Sequence, residues 1–220
     1  MIELIMRDRL DPVLLKETFT FEGYFQLVKE LVECNGTTGL NQSGLHAQYT
    51  KLNYQRIKRI TKTLQMSDEL TEIIHGIQSE MLWIVIAESW CGDVPQTLPY
   101  LNAICVANGN IELKIVLRDD NPGIMDQFLT NGSRSIPKLI CLDPQTYEVI
   151  GRWGPRPTGA KELVQMLVKD PDITKDMRNE AVQRWYLQDK GNQLQSEISL
   201  LIKEWDLSLM ERKCAPVNRY

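Results

Sequence analysis

The stretch A-E-S-W-C-G-D-V-P-Q-T-L-P-Y-L, residues 87–101, decides the fold of this chain of 220 residues. It continues the short apolar run L-W-I-V-I-A, residues 82–87, whose β-branched residues are typical of a strand buried on both faces. A helical segment of residues 92–107 follows. The sequence therefore places Cys91 at the junction between a strand and a helix.

Backbone N–H groups at the start of a helix have no partner within the helix, and together with the helix dipole they stabilise negative charge. A thiol in that position has a lowered pKa. The position of Cys91 therefore predicts an exposed, reactive thiol, and the alternative is a half-buried cysteine without chemistry. Asp93 would oppose the effect, because a nearby carboxylate raises the pKa of a thiol.

Further elements are predicted downstream. The sequence indicates a second strand at residues 111–117, a third at 138–142 and a fourth at 147–152. Helices are expected at 124–129 and 159–168. The third and fourth strands form a hairpin around the turn D-P-Q-T. The order β-α-β-α-β-β-α indicates an α/β domain.

Both flanks of this domain carry apolar residues at the spacing of amphipathic helices, with Phe21 and Val28 on one side and Val182 and Trp205 on the other. Such faces are too apolar to remain in water. We expect them to pack on the sheet or on a second subunit, and in the second case the protein is a homo-oligomer. The predicted parts are a helical N-terminal extension, a central domain and a helical C-terminal extension, at residues 1–79, 80–170 and 171–220.

The element order, with W-C-G at residues 90–92, N-P-G at 121–123 and I-P at 136–137, resembles the thioredoxin fold. The longer motifs E-S-W-C-G-D-V, L-T-N-G-S-R-S-I-P-K-L-I and W-G-P-R-P are similar to those of bacterial thioredoxin-family proteins with helical extensions. The resemblance covers roughly residues 80–170. It implies an α/β thioredoxin-like fold with a βαβαββα core.

The resemblance also implies roles for the residues that match the family's motif. Cys91 matches the nucleophilic cysteine, and Trp90 matches the tryptophan beside it. Pro137 matches the cis-proline that faces the nucleophile, and the backbone of Ile136 would pair with an extended substrate. Gly92 suits this site because glycine lets the backbone turn tightly.

Val94 stands where the family carries its second, resolving cysteine. A mixed disulfide on Cys91 would therefore have no neighbouring thiol to release it. Measured along a strand and a helix, Cys141 and Cys105 lie about 13 Å and about 21 Å away, too far to form a disulfide. Cys214 or an external thiol is a candidate for the resolving role.

Charged residues are expected near the thiol as well. The first two strands should run parallel, and sites in such sheets gather at the carboxyl ends of the strands. Glu88 and Cys91 follow one strand, and Arg118 and Asp119 follow the other. Arg118 would lower the pKa of Cys91 and Glu88 would raise it, although an Arg118–Asp119 ion pair is the simpler role. In the stiff loop W-G-P-R-P, Arg156 either contacts an anion or caps loop carbonyls.

Composition narrows the class of protein. The formal net charge of −4 argues against a broad surface for nucleic acid or membranes. The start M-I-E-L-I-M-R-D-R lacks the apolar core of a secretory signal, so we expect a cytoplasmic protein. With five irregularly spaced cysteines and two histidines, we expect no disulfide framework, no metal site and no cofactor.

Two functions from different classes follow from these residues. In the first, the protein is a single-cysteine thiol–disulfide redox protein, and the Cys91 thiolate attacks a disulfide or a low-molecular-weight thiol adduct. In the second, it is a binding module or an oligomeric scaffold without redox activity. The groove between Trp90, Pro137 and the W-G-P-R-P loop would then hold a protein or an extended peptide.

Overall fold

The computed structural model describes residues 8–15 and 17–214, without the side chain of Cys214. A four-stranded sheet lies at its centre, in the order β2-β1-β3-β4. The strands are β1 (Met81–Ala87), β2 (Ile111–Leu117), β3 (Lys138–Leu142) and β4 (Val149–Trp153). β1 pairs in parallel with β2 and antiparallel with β3, and β3 pairs antiparallel with β4.

The helices surround this sheet. After a short 3-10 helix at Pro12–Leu15, the α-helices are α1 (Phe21–Glu33), α2 (Gly44–Thr63), α3 (Asp68–Gly76), α4 (Val94–Ala107), α5 (Pro122–Met125), α6 (Thr158–Val168), α7 (Lys175–Asp189) and α8 (Asn192–Cys214). Several begin at the hydroxyl caps that helix starts prefer. Thr20, Ser43, Ser67 and Thr174 each accept a hydrogen bond from a backbone amide of the first turn.

The core is continuous from the sheet into the flanking helices. Every residue of β1 is buried, as expected for the central strand of a sheet that is covered on both faces. The edge of Trp83 on β1 meets Trp205 on α8, with ring centroids 5.9 Å apart and the planes at 90°. Tyr24 on α1 and Ile57 on α2 belong to the same buried cluster. The flanking helices therefore pack on the sheet, and the division into three parts stays a prediction.

The α/β thioredoxin-like fold with helical extensions matches the fold expected from the sequence. Several boundaries differ from the prediction: α4 begins at Val94 and not at Gly92, and α5 ends at Met125 and not at Leu129. Two of the differences have local reasons. α5 starts at Pro122, where the missing N–H of proline costs no helical hydrogen bond. β4 begins at Val149, because Tyr147 has a positive φ of 59° and belongs to the turn. Of the helices described, none is both long and apolar enough to cross a membrane.

Candidate functional site

The turn that carries Cys91 follows β1 and is fixed by the N-terminal helices. Asn53 on α2 donates from Nδ2 to the backbone carbonyls of Ser89, at 2.8 Å, and of Cys91, at 3.1 Å. The buried hydroxyl of Ser89 lies within hydrogen-bond distance of three threonine hydroxyls, those of Thr37, Thr38 and Thr50. Because these buried polar groups satisfy one another, they fix the backbone on the N-terminal side of the thiol.

The sulfur of Cys91 lies against the loop before β3. Its Sγ donates to the backbone carbonyl of Ile136 at 3.3 Å, and the Ile136–Pro137 peptide bond is cis. Cys91, Ile136 and Pro137, which the sequence predicts to form the site, therefore lie next to one another. Cys91 is only 7% exposed and Ile136 only 6%, and Pro137 is buried too. In this conformation Ile136 does not offer an exposed backbone to an extended peptide.

The protonation of the thiol differs from the expectation. Burial, followed by the charge of Asp93, raises the pKa of Cys91 from the ordinary 9.0 to about 12. The amides of Asp93 and Val94 lower this pKa, as the start of a helix should, and so does Arg156. Burial outweighs them, because it removes water from around the charged form. The prediction of an exposed, ionised Cys91 is therefore wrong, and the thiol is a neutral hydrogen-bond donor.

Asp93 forms a buried ion pair beside the thiol. Arg156 contacts both of its carboxylate oxygens, at 2.9 Å through Nε and at 2.6 Å through Nη2. The hydroxyl of Tyr186 on α7 donates to the same carboxylate at 3.1 Å. Burial raises the pKa of Asp93, and Arg156 counteracts that effect. Arg156 therefore forms an ion pair within the protein, and the two roles expected for it, contact with a ligand anion and capping of loop carbonyls, stay predictions.

Arg118 takes the simpler of the two roles expected for it. It forms the simpler ion pair with Asp119, at 2.8 Å. Its guanidinium also lies 4.7 Å from the ring centre of Trp90, and His46 stacks on the same ring at 4.8 Å. The main groups that shift the pKa of Cys91 do not include Arg118. The lowering expected from Arg118 comes from Arg156 instead, because Arg118 is engaged with Trp90 and Asp119.

Glu88 is fully buried at the end of β1. Its Oε1 accepts a hydrogen bond from the amide of Asp119 at 2.9 Å, which joins the ends of the two parallel strands as expected. Its Oε2 has no hydrogen-bond partner in the described part of the chain. Burial raises the pKa of Glu88 and so favours the neutral carboxyl, which weakens its expected influence on Cys91.

A cavity of about 640 Å³ opens beside the turn, between α2 and α7. Trp90, Cys91, Gly92 and Asp93 form its floor. The volume falls within the range of small-molecule sites, about 300–1,000 Å³. The candidate site is therefore this cavity together with the thiol at its base.

Residues from the flanking helices complete the site, and no local pattern in the sequence points to them. Gln183 on α7 donates to the carbonyl of Gly92 at 3.0 Å and accepts from Gln96 at 2.8 Å. Asn53 and Tyr186 bind the turn from α2 and α7. Their amide and hydroxyl groups are common on helix surfaces, so only the tertiary contacts reveal their roles.

The cysteines whose side chains the structure describes are all free thiols. Val94, in the position of a resolving cysteine, is 1% exposed. Cys105 and Cys141 are buried free cysteines and Cys34 is an exposed one. The candidate role of Cys214 lies outside the described residues. Within the described ranges, no group of three or more His, Cys, Asp and Glu side chains is placed to hold a metal ion.

The fold and the Cys91–Pro137 arrangement define a thioredoxin-like protein. The sequence profile of a thioredoxin family matches residues 39–178, which is more than half of the 220 residues, and the chain belongs to that family. The matched stretch extends beyond the predicted central domain at both ends.

Two solved structures are similar to this chain. A protein of unknown function from Pseudomonas aeruginosa is 19% identical, with a TM-score of 0.55 over 84% of this chain and 98% of that one. An HIV epitope scaffold is 18% identical, with a TM-score of 0.48 over 80% of this chain and 96% of that one. Among curated proteins, none matches the chain significantly.

Proposed function

We propose that this thioredoxin-family protein binds a small molecule in the cavity beside Cys91, and that the resting thiol serves as a neutral group in the wall. The observation that carries the proposal is a cavity of about 640 Å³ directly against the Cys91 turn. The thiol itself is 7% exposed and its pKa is raised to about 12. A thiol in that state is a poor nucleophile, because the thiolate is the reactive form.

A small molecule suits this site better than an extended peptide. Peptide binding along the cis-proline loop needs open backbone at Ile136, which is buried and whose carbonyl already accepts from the thiol. The cavity lies on the other side of the turn, where α2 and α7 form its walls. A cleft of this volume can bury much of the surface of a small ligand.

The second candidate is the single-cysteine redox protein. The 3.3 Å contact between Cys91 Sγ and the Ile136 carbonyl favours it, together with the amides of Asp93 and Val94 that stabilise a thiolate. In that reaction the thiolate attacks one sulfur of a disulfide, a mixed disulfide forms, and the other sulfur leaves as a thiolate. A second, external thiol then attacks the mixed disulfide and restores Cys91. This route requires an opening of the site that first ionises the thiol.

The test uses N-phenyl-1-naphthylamine, an uncharged probe whose fluorescence rises in apolar surroundings. We expect one probe to bind per chain. Val164→Trp should abolish binding, because Val164 lines the cavity from α6. Val168→Trp is the matched control, since Val168 is 59% exposed at the end of the same helix. Absence of binding, or equal binding to both variants, would contradict the proposal.

The redox candidate has its own measurement. Incubation with 2-hydroxyethyl disulfide at neutral pH, followed by mass spectrometry of the Cys91 peptide, shows whether a mixed disulfide forms. The binding proposal expects no adduct on Cys91 in the time that Cys34, which is exposed, becomes modified. Rapid modification of Cys91 would favour the redox function instead.

A further inference from the structure

The walls of the cavity carry more cationic groups than the structure neutralises. Arg56, Lys175 and Arg178 line it in addition to Arg156. Arg156 is neutralised by Asp93. Over the described ranges, neither Arg56 nor Arg178 forms an ion pair with a carboxylate.

Arg56 stands beside the thiol turn and, unlike Arg156, makes no ion pair within the described residues. Its Nη1 lies 3.9 Å from the position that a Cβ on Gly92 would occupy, so the guanidinium stands beside the turn. It donates to the neutral Oδ1 of Asn53 at 2.8 Å. Burial lowers the pKa of Arg56, and the neighbouring Arg59 lowers it further. The charge of Asp93 acts on Arg56 in the opposite direction, but Asp93 makes its ion pair with Arg156. A bound anion would therefore stabilise the partly buried Arg56 guanidinium further.

The second cation comes from α7. Arg178 is half-buried and donates from Nη1 to the carbonyl of Ile173 at 2.7 Å, which fixes the side chain near the start of the helix. A guanidinium has five donors, so both arginines keep capacity for an oxyanion. Lys175 adds an exposed positive charge on the same helix.

The carboxylates of the cavity do not cancel this charge. Asp93 is held by Arg156 and Tyr186. Glu180 pairs with Arg184 at 2.8 Å. Asp176, exposed in the first turn of α7, is the remaining carboxylate of the lining. Three cationic side chains and this one carboxylate give the lining a net positive charge.

Apolar and aromatic side chains supply much of the remaining wall. Tyr49 and Leu45 line the cavity from α2, Trp90 from the turn, Val164 from α6 and Val182 from α7. A ligand that satisfies both kinds of wall has an apolar body and a negatively charged oxyanion group. Inorganic anions would leave the apolar surface in contact with water, and uncharged molecules would leave both arginines without an ion pair.

We infer that the cavity binds a small amphipathic organic anion, with its oxyanion group between Arg56 and Arg178 and its apolar body against Tyr49, Trp90 and Val182. This inference rests on the proposed function, because it names the class of ligand that the cavity takes. Carboxylate, sulfonate and phosphate share the required oxyanion chemistry. A guanidinium binds each of them through paired N–H donors.

The experiment compares two probes with related aromatic frameworks. 8-Anilinonaphthalene-1-sulfonate carries an anionic group, and N-phenyl-1-naphthylamine does not. We expect the sulfonate to bind the wild-type chain at least about tenfold more tightly, since hydrogen bonds to charged groups contribute about 1.5–3 kcal/mol. Competition by octanoate and by octyl phosphate, in separate titrations, distinguishes a carboxylate from a phosphate site.

Charge variants test the role of each arginine. Arg56→Met and Arg178→Met should each weaken sulfonate binding about tenfold and leave the uncharged probe within about twofold. Lys58→Met is the matched control, because it removes one exposed positive charge from α2 outside the cavity. Thermal unfolding of every variant identifies any that does not fold. If one arginine variant is unfolded, the sulfonate binding of the other arginine variant tests the inference.

The outcomes separate the two proposals. If the uncharged probe binds and Val164→Trp blocks it, but the sulfonate shows no preference that depends on the arginines, the inference is overturned and the proposed function remains. If neither probe binds, both are overturned. A loss of sulfonate preference that is equal in Arg56→Met and Lys58→Met would show only a general charge effect and would also overturn the inference.

Discussion

The buried state of Cys91 leads to a quantitative prediction about its reactivity. Alkylation by iodoacetamide proceeds through the thiolate. With a pKa of about 12 in place of the ordinary 9.0, Cys91 should hold a thiolate population about a thousandfold smaller at neutral pH. This difference of about three pKa units corresponds to about 4 kcal/mol of preference for the neutral thiol. We therefore expect alkylation of Cys91 to be slower than that of an ordinary thiol by at least this factor.

The assay follows the Cys91 peptide by mass spectrometry after timed exposure to iodoacetamide across neutral and alkaline pH. Cys34 is exposed and supplies an internal reference in the same chain. The rate at Cys91 should keep rising with pH throughout the range in which the protein stays folded. A plateau with a midpoint at or below the unperturbed value of about 8.5, or a rate equal to that of Cys34, would refute the argument.

Two further predictions concern the charged groups of the domain. Asp93→Asn should lower the pKa of Cys91, because the charge of Asp93 is the second cause that raises it and Arg156 would lose its partner. Alkylation of Cys91 at a fixed alkaline pH should therefore become faster, and a rate unchanged relative to that of Cys34 would contradict the prediction. Lys138 is buried, and burial lowers its pKa from 10.5 to about 8, with smaller effects of Arg152 and Lys161 in the same direction. Between pH 8 and pH 10.5 the folded state therefore binds fewer protons than the unfolded state. The free energy of unfolding rises with pH over this interval. Lys138→Met should therefore raise the free energy of unfolding at pH 7 by up to about 3 kcal/mol, and this gain should vanish near pH 10.5. Urea unfolding at both pH values measures the gain. A gain that persists at high pH would show that it does not come from the lowered pKa of Lys138.

The sequence predicts the fold because its signals are local. The apolar run that ends at Ala87 can only be a buried strand, and the runs that start at Ile111 and Lys138 coincide with β2 and β3. Strand and helix periodicities depend on neighbouring residues, so a single sequence carries them.

The state of the thiol depends on distant residues and could not be predicted in this way. The position of Cys91 at a helix start predicts that nearby amides lower its pKa, and the amides of Asp93 and Val94 act in this direction. The burial that reverses the outcome involves a turn held by Asn53 and Gln183, which lie far from Cys91 in sequence. Coulombic effects and burial depend on three-dimensional distances, which the spacing of residues does not give.

The helix α7 is synthesised well after Cys91, and this affects the nascent chain. Gln183 and Tyr186, which bind the turn, leave the ribosome about 90 residues after Cys91. Until they arrive, the nascent chain presents this thiol without part of its native surroundings. An adduct formed on Cys91 during translation would then lie where the last helices must dock, so oxidative stress should act on chains being made more than on finished molecules.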